Sequence, residues 1–558
     1  VKRGPRHGDG DDGDDDKWED DNCTDDKANN NIMAPLSPCT DDKENKMTPL
    51  DIEANASEPQ NISDDAHENC CSKRFQYGGL SEAKGYALLA MGRGAAVMSN
   101  VVVNAALLEL ATDAAGCLTG DELENADEDY ECTGTVYGQS PVSLIANIAV
   151  VSGLLAAFFM PIIGVILDFT SYRRFVGIAF SVVFTMIQAA QIGIGEKTWF
   201  PMAILQSIAG FCFTILILTA LAYLPEICEV VGQQVHASYT ARFTAQQFIV
   251  QALFLILVGA LSFAFGIADN SVQTARLSQA LNVGIISILF SLGWRYMPAR
   301  QAARELPEGL RCFGILTYGF RQNMKTAKSI WVTYKKGLRW YLLATMFAQS
   351  AVGALTTVSV VYLSSEVGLN ATDISLFFLV VLVGTIPGSK VASFLSTRHV
   401  NPNTSWQLSM VSLFIALVIG AFTLGNAPNK YLSLIWGFFI GAILGWFYPT
   451  ENLFFSCVLP KGQEAEIAGF RVYCSMILSW LPPLIFSVLV ETGVDASWGM
   501  TVMGSFILIA AIILKLGPGS WDEILHESGR SALSEQRSHL STPQAVLEDE
   551  GNGNFECE

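Results

Sequence analysis

The sequence predicts an all-α integral membrane protein with twelve transmembrane helices in two sets of six, and three observations support this prediction. The 558-residue chain is 51% hydrophobic and only 16% charged, which is too apolar for a soluble protein of this length. Its apolar stretches are about 20 residues long, the length that crosses the hydrocarbon of a bilayer. Lysine and arginine residues favour alternate loops, as transmembrane topology requires.

The twelve spans lie between two polar tails and are divided by one long connection. We predict that residues 73–297 form the first six-helix bundle, that residues 298–338 form a basic cytosolic loop, and that residues 339–517 form the second bundle. The predicted spans cover residues 87–110, 142–166, 176–195, 201–223, 246–267, 277–296, 340–362, 373–395, 406–425, 431–452, 468–490 and 497–516.

The net charge of −19 would favour a soluble or disordered chain if it were spread evenly, but it is not. Residues 1–72 contain 20 Asp and Glu against 7 Lys and Arg, residues 518–558 contain 9 against 2, and the 445 residues between them contain 24 against 25. Segments as polar as these tails cannot bury enough apolar surface to fold alone. We therefore predict that both acidic tails are disordered.

The basic residues of the core predict its orientation, because cytosolic loops carry an excess of Lys and Arg. With both tails in the cytosol, the outside positions hold only Lys197, Arg276 and Lys430. The inside positions then hold Arg173, Arg174, Arg242, ten basic residues from Arg295 to Arg339, Lys390, Arg398, Lys461 and Arg471. The sequence therefore predicts that both termini are cytosolic.

The long inside connection combines basic and aromatic side chains. Its aromatic residues are Phe313, Tyr318, Phe320, Trp331 and Tyr334. Such a composition is typical of an amphipathic segment that lies on an anionic leaflet. A solvated basic linker that only determines topology is an equally good interpretation.

Six plus six spans with a long central inside loop resemble the layout of the major facilitator superfamily, in which two halves rock around a central cavity. The stretch from Gly164 to Arg174 resembles the motif between spans 2 and 3 of that superfamily. We expect Gly164 to allow close helix approach, and we expect Asp168 to bind a helix terminus or to pair with Arg173 or Arg174, which would hold the cytosolic gate. Ordinary positive-inside charge is the alternative.

Residues 460–470, Pro-Lys-Gly-Gln-Glu-Ala-Glu-Ile-Ala-Gly-Phe, resemble the Pro-x-Gly-x-Glu-x-Glu-x-x-Gly-Phe signature of the autophagy-linked vacuole effluxer family, a branch of the major facilitators. Weaker matches extend the resemblance over about residues 85–515: Tyr223-Leu-Pro-Glu226, Gly319-Phe320-Arg321, Ile386-Pro387-Gly388 and Trp480-Leu-Pro482-Pro483. The resemblance implies a multi-pass transporter of the vacuolar or lysosomal membrane that releases neutral amino acids to the cytosol after autophagic degradation.

Polar residues inside the predicted spans are the candidate substrate ligands, because polar groups in lipid are costly and tend to face a cavity. Arg93 in the first span could hold a carboxylate, although it could also snorkel to the cytosolic surface. The amide candidates are Asn100, Asn104, Asn147, Gln188, Gln206 and Gln349. Hydrogen bonding between helices, without substrate contact, is the alternative for each amide.

Glu226 and Glu451 are the candidate proton-coupling residues. Each follows an aromatic residue and a proline at the cytosolic end of a span, in Tyr223-Leu-Pro-Glu226 and Tyr448-Pro-Thr-Glu451. A carboxylate at such a boundary can have its pKa raised by desolvation. Each could instead cap or pair with a helix end. In the same tenth span, Gly437, Gly441 and Gly445 recur at intervals of four residues, which indicates close helix packing.

Other features restrict the function further. Cys117 and Cys132 lie in a predicted outside loop and could form a disulfide, or remain two separate thiols. The chain contains no phosphate loop and no metal-binding motif, so we predict neither an enzyme nor a cofactor. The expected partners are a small-molecule substrate, the lipid bilayer and a possible coupling proton, and not nucleic acid. A nutrient sensor or scaffold that keeps the transporter fold is the competing class, as is a transporter of another organic solute.

Overall fold

The computed structural model describes residues 77, 80–117, 134–224, 227, 230, 233–300, 312–397, 400–426, 429–460 and 464–529. These residues are almost entirely helical, and their extended pairing consists of one antiparallel bridge between Val136 and Gln139. The predicted N-terminal tail, residues 1–72, lies outside the described residues, as do residues 530–558 of the predicted C-terminal tail.

The first half contains six long helices. They are α1 (Ser81–Ala114), α2 (Pro141–Phe169), α3 (Arg173–Ala190), α4 (Trp199–Leu221), α5 (Gln233–Ala264) and α6 (Ser271–Tyr296). A single 3₁₀ turn, Gln191–Gly193, extends α3. Ser140 and Asn270 cap α2 and α6 through their side chains, which satisfies backbone N–H groups that have no partner inside a helix.

The connection and the second half contain the remaining described helices. They are α7 (Cys312–Thr333), α8 (Leu338–Ser365), α9 (Ala371–Thr397), α10 (Pro402–Asn426), α11 (Lys430–Val458), α12 (Glu464–Ile477), α13 (Leu481–Glu491), α14 (Ala496–Leu516) and α15 (Trp521–Glu527). Helices α12 and α13 are the two parts of one span. Pro482 and Pro483 follow the turn between these parts, because proline has no N–H to continue the hydrogen-bond ladder.

Twelve helical segments are long and apolar enough to cross a membrane, which confirms the predicted spans. Burial distinguishes two of them. The most apolar windows of α1 and α8 are 83% and 67% buried, whereas the other ten are between 28% and 50% buried. These are the first spans of the two halves, and α1 packs against α8 and α9 as well as against α5 and α6 of its own half. The two halves therefore meet along α1 and α8, and also where α2 packs against α12 and α13 and where α5 packs against α9.

We name the two ends of the bundle by the chain connections there. The linker end is where α6 finishes and α8 starts, and the far end is where α1 finishes and α2 starts. Hydrogen bonds join the halves at the far end. The Thr372 hydroxyl donates to the Ala268 carbonyl at 2.5 Å, and the Ser140 N–H donates to Glu491 at 2.7 Å. The two halves are therefore in direct contact at the far end.

The glycine repeat of α11 packs against α9, as its spacing predicted. A Cβ atom added to Gly441 would lie 2.0 Å from the Val381 carbonyl oxygen, and one added to Gly445 would lie 2.2 Å from the Thr385 carbonyl oxygen. The same holds from the other side, where Gly388 of α9 faces the Ala442 carbonyl. The backbones therefore approach too closely for any larger residue.

The replacement Gly441→Ala is expected to destabilise the protein by about 2 kcal/mol, because the added methyl group must displace a backbone carbonyl. Thermal unfolding in detergent measures this effect. Gly284→Ala is the matched control, because a Cβ atom there has open space on α6. Equal unfolding temperatures for the two variants would contradict the packing of α11 on α9.

The ordered chain continues past the last span into the predicted C-terminal tail. Helix α15 places the Glu527 carboxylate at the start of α8, where it accepts N–H hydrogen bonds from Lys335, Lys336 and Gly337 at 2.5 to 3.0 Å. Ile524 is buried against Gly337. A carboxylate at a helix N-terminus is favoured by unpaired N–H groups and the helix dipole, so α15 caps the first span of the second half.

Replacing Glu527 with Ala should release α15, since three N–H groups lose their acceptor, at a cost of about 1–2 kcal/mol. Limited proteolysis after α14 reports the release, and Asp522→Asn on the exposed side of α15 is the control. Lowering the pH should also release α15. The Ser520 N–H and the Lys336 ammonium hold the pKa of Glu523 below its ordinary value. The stabilisation that ionised Glu523 gives to α15 is therefore lost as the pH falls through that lowered pKa. Identical cleavage of E527A and D522N would rule out the cap.

Candidate functional site

A buried carboxylate lies near the linker end of α11. Glu451 is seven residues before the end of this helix and is only 1% exposed. It accepts hydrogen bonds from Gln349 Nε2 at 2.5 Å and from the Tyr341 hydroxyl at 3.4 Å, both on α8. Sequence reasoning selected Glu451 and Gln349 for separate roles, and the structure brings the two side chains into contact.

Arg471 of α12 supplies the counter-charge of Glu451. One of its Nη atoms lies 3.1 Å from a Glu451 carboxylate oxygen and 2.9 Å from Asn452 Oδ1. Its guanidinium carbon lies 4.5 Å from the centre of the Phe455 ring, within the range of a cation–π contact. Sequence reasoning counted Arg471 only as a positive-inside residue. The available signal was its position within the predicted span 468–490, where a charge requires a partner.

The ion pair and the hydrogen bonds of Glu451 connect three helices. With Glu451 ionised, α8, α11 and α12 are joined through one neutral cluster. Protonation of Glu451 would remove the counter-charge of Arg471. The guanidinium would then keep its contacts with the Asn452 amide and with the Phe455 ring. Because an unpaired charge in a low-dielectric site is costly, proton uptake would favour an arrangement in which Arg471 is hydrated or paired again.

Arg93 lies on the central helix α1 and has a different environment. It is 6% exposed, and its guanidinium carbon lies 5.4 Å from the centre of the Tyr86 ring. Among the described residues, no Asp or Glu forms an ion pair with it. Arg93 is twelve residues into α1, about 18 Å along the helix axis. Gln349, the amide that contacts Glu451, is eleven residues into the other central helix, α8.

Four of the predicted amide ligands belong to two hydrogen-bond chains in the first half. Asn100 and Asn104 of α1 accept hydrogen bonds at 3.1 and 3.2 Å from Gln188 and Gln206, one in each chain. The two chains continue to three residues that sequence reasoning missed. Gln191 donates to Gln206, Gln279 donates to Gln191, and Asn282 donates to Gln188, at 2.8, 3.4 and 3.0 Å.

Both chains run in the same direction, from donors on α6 to acceptors on α1. The donors on α6, Gln279 and Asn282, are fully buried, and their own side-chain oxygens have no partner among the described residues. At the other end, the side-chain oxygens of Asn100 and Asn104 already accept hydrogen bonds, which leaves their NH₂ groups to bind another partner. The missed residues were visible in the sequence as pairs of amides three residues apart in the third and sixth spans, which places both members on one helix face.

The predicted gate residues are at the linker end. Arg173 is buried, donates to the carbonyl oxygens of Leu167 and Ala222, and lies over the Tyr223 ring at 5.4 Å. Its contacts therefore join the α2–α3 turn to the end of α4. Asp168 is exposed on the last turn of α2, and the Nε atom of Arg174 is buried without a hydrogen-bond partner in the described part of the chain.

One gate expectation is wrong. Gly164 was expected to allow close helix approach, but among the described residues no atom lies within 4 Å of a Cβ built there. The close approach on α2 occurs about three helical turns earlier, where a Cβ on Gly153 would lie 2.8 Å from the Trp480 nitrogen in the turn between α12 and α13. The turn requires this space because its backbone lies directly on α2.

Two of the remaining predicted residues, Asn147 and Cys117, are among those that the structure describes. Asn147 donates to Gln139 at 3.1 Å near the far end. Glu226 lies outside the described residues, so its coupling role stays a prediction. Cys117 is disulfide-bonded, but Cys132 is outside the described part of the chain, so their pairing also stays a prediction.

The arrangement of two six-helix halves around buried polar clusters defines a membrane transporter with the major facilitator fold. Solved structures with this fold match most of the chain. A D-xylose-proton symporter matches with a TM-score of 0.53 and 13% identity, covering 78% of this chain and 98% of its own. The E. coli xylose transporter XylE in an inward-open conformation matches with 0.51 and 14%, covering 80% and 98%. A mutant of the nucleoside transporter NupG matches with 0.51 and 9%, covering 78% and 99%.

The family is narrower than the fold. Residues 79–517 match the family of Atg22-like vacuole effluxers, and the chain belongs to that family. None of the curated proteins compared with the chain matches it.

Proposed function

We propose that the protein is a secondary active transporter that moves neutral amino acids from the lumen of the vacuole or lysosome to the cytosol by alternating access, in connection with autophagy. The family name supports the organelle and the direction of transport. The observation that carries the substrate class is Arg93, a buried cation on a central helix.

Arg93 supports a substrate that carries a carboxylate. A charged side chain inside a membrane span is costly and marks a substrate or ion pathway. Arginine binds a carboxylate through two parallel N–H hydrogen bonds, and an amino acid supplies that group. The NH₂ groups of Asn100 and Asn104 lie two and three turns further along α1 and could donate hydrogen bonds to an acceptor on a larger side chain of the substrate.

Glu451 supports proton coupling. Its ion pair with Arg471 joins α11 to α12 at the linker end, and protonation would weaken this connection. A ligand or proton shifts a conformational equilibrium only through unequal affinity for the two states, and the loss of the Arg471 counter-charge supplies that inequality. Gln349 and Tyr341 extend the effect to α8.

The hydrogen bonds between the halves at the far end support a state that opens toward the cytosol. If the linker end is cytosolic, as the basic loops predict, the hydrogen bonds of Ser140 and Thr372 join the halves on the luminal side. Release of substrate to the cytosol would occur from such a state.

Efflux from proteoliposomes tests the proposal. The purified full-length chain is reconstituted, vesicles are loaded with one labelled amino acid at a time, and efflux is measured at two internal pH values. We expect efflux of neutral amino acids that increases when the interior is acidic, and little efflux with R93Q protein. If no amino acid moves in either direction while the tails still bind partner proteins, the chain is a sensor or scaffold. Movement of another solute alone would reject the substrate class.

A further inference from the structure

Helix α7 has two different faces. Toward the protein, Gly319 is so close to α2 that a Cβ atom would lie 2.4 Å from the Pro161 carbonyl oxygen. Thr326 donates to Glu466 of α12 at 2.9 Å, and Ile330 is buried. Helix α7 therefore contacts a helix of each half at the linker end.

The outer face of α7 is apolar and basic at the same time. Phe320, Met324, Trp331 and Val332 are 37% to 71% exposed. Between these side chains lie the exposed charges of Arg321, Lys325 and Lys328. We call these seven residues the outer face.

The sequence contains no Asp or Glu between Glu308 and Glu366, so no acidic residue of α7 itself offsets these charges. Carboxylates near this helix belong to other elements: Glu466 of α12 accepts from Thr326, and Glu527 of α15 accepts from Lys335 and Lys336 beyond the end of α7. Large exposed apolar side chains alternating with Lys and Arg are typical of a helix that lies in the interface of an anionic membrane. A solvated linker would have no reason to expose Phe320, Met324 and Trp331 together.

A second observation indicates that the outer face of α7 lies at the depth of the lipid headgroups. The guanidinium of Arg339, at the start of α8, lies 4.6 Å from the Trp340 ring and 5.3 Å from the Trp331 ring, and its Nε atom is buried without a hydrogen-bond partner among the described residues. Tryptophan is enriched at the headgroup level of bilayers. Trp331 of α7 is thus placed beside a span terminus, where headgroups are.

We propose that the outer face of α7 binds the headgroups of an anionic leaflet, with Arg321, Lys325 and Lys328 on lipid phosphates and Phe320, Met324 and Trp331 among the acyl boundary. This interaction holds α7 across α2 and α12 at the linker end. The partner is the lipid surface itself, and binding does not depend on the transported substrate.

Backbone hydrogen exchange in nanodiscs tests this interaction. The full chain is placed in nanodiscs of phosphatidylcholine alone or with added phosphatidylserine, and exchange is followed for peptides from residues 312–333. Each basic residue near an anionic surface contributes about a fivefold effect on binding. We therefore expect at least about fivefold slower exchange of α7 in the anionic nanodiscs, reversed by high salt.

The variant R321Q/K325Q/K328Q should lose this difference, whereas K390Q/K515Q should keep it. Lys390 and Lys515 are exposed at the linker end but lie on α9 and α14, so they control for the total charge near the same leaflet. Equal exchange of α7 in both kinds of nanodisc would overturn the proposal, and so would an unchanged difference in the triple variant. Amino-acid efflux is not needed for this readout, so the two proposals can fail separately.

Discussion

Glu451→Gln is expected to reduce the stability of the protein by about 3 kcal/mol and to flatten the pH dependence of transport. The amide keeps the shape of the carboxylate and can still bond to Gln349. It leaves Arg471 as a buried cation without its counter-charge, and breaking one side of a buried ion pair costs several kcal/mol. We take the lower end of that range because the Arg471 side chain is 22% exposed. Thermal unfolding and efflux measured at several pH values check the two expectations.

A double-mutant cycle separates the ion pair from other effects of the substitution. Arg471→Gln alone should also destabilise the protein, because it leaves Glu451 unpaired, and E451Q/R471Q should be more stable than the sum of the single effects predicts. Additive losses would contradict an ion pair that matters in solution. A double variant that is stable but independent of pH would assign the pH response to this pair.

Arg93→Gln is expected to raise the substrate concentration for half-maximal transport by about 10- to 100-fold, because a hydrogen bond to a charged group contributes about 1.5–3 kcal/mol. Unlike Glu451→Gln, this change should not reduce stability. Arg93 has no carboxylate partner among the described residues, so its removal leaves no buried anion behind. Initial rates over a range of amino-acid concentrations measure the effect.

Arg93→Lys is the informative control for this position. Lysine keeps the charge but cannot offer the planar pair of N–H donors. The affinity of R93K for the substrate should therefore lie between that of R93Q and that of the unmodified protein. If R93Q transports with unchanged affinity, Arg93 does not contact the substrate. If R93Q unfolds instead, Arg93 serves in packing against Tyr86.

The fold could be predicted from the sequence because it depends on local composition. A span requires only about 20 apolar residues in a row, and the twelve predicted spans all correspond to helices. The polar composition of the tails and the basic residues of the 298–338 connection can likewise be recognised from short stretches of sequence. The start of the C-terminal tail was less clear. Residues 521–527 lie in a tail that is acidic as a whole, but Ile524 and Glu527 contact the start of α8, so the ordered chain extends further than composition indicated.

The candidate site could be predicted only in part. Glu451, Gln349, Arg93 and the amides of α1 were recognisable because each is a polar residue inside a span. Their pairing was not, since hydrogen bonds between helices depend on the rotation and depth of each helix. Arg471 was overlooked for this reason. In sequence it is one more basic residue at a cytosolic end, and only its distance from Glu451 reveals its partner.

The sequence by itself determined which residues enter the membrane and which sets of six spans they form, because the cost of placing polar groups in hydrocarbon arises residue by residue. The tertiary structure alone decided which polar side chains compensate each other. Glu451 and Arg471 neutralise one another within the second half. The amides of α1, α3, α4 and α6 hydrogen-bond to one another within the first, and Arg93 has no counter-charge among the residues that the structure describes. That difference depends on which helix faces meet, a property of packing between segments distant in the chain.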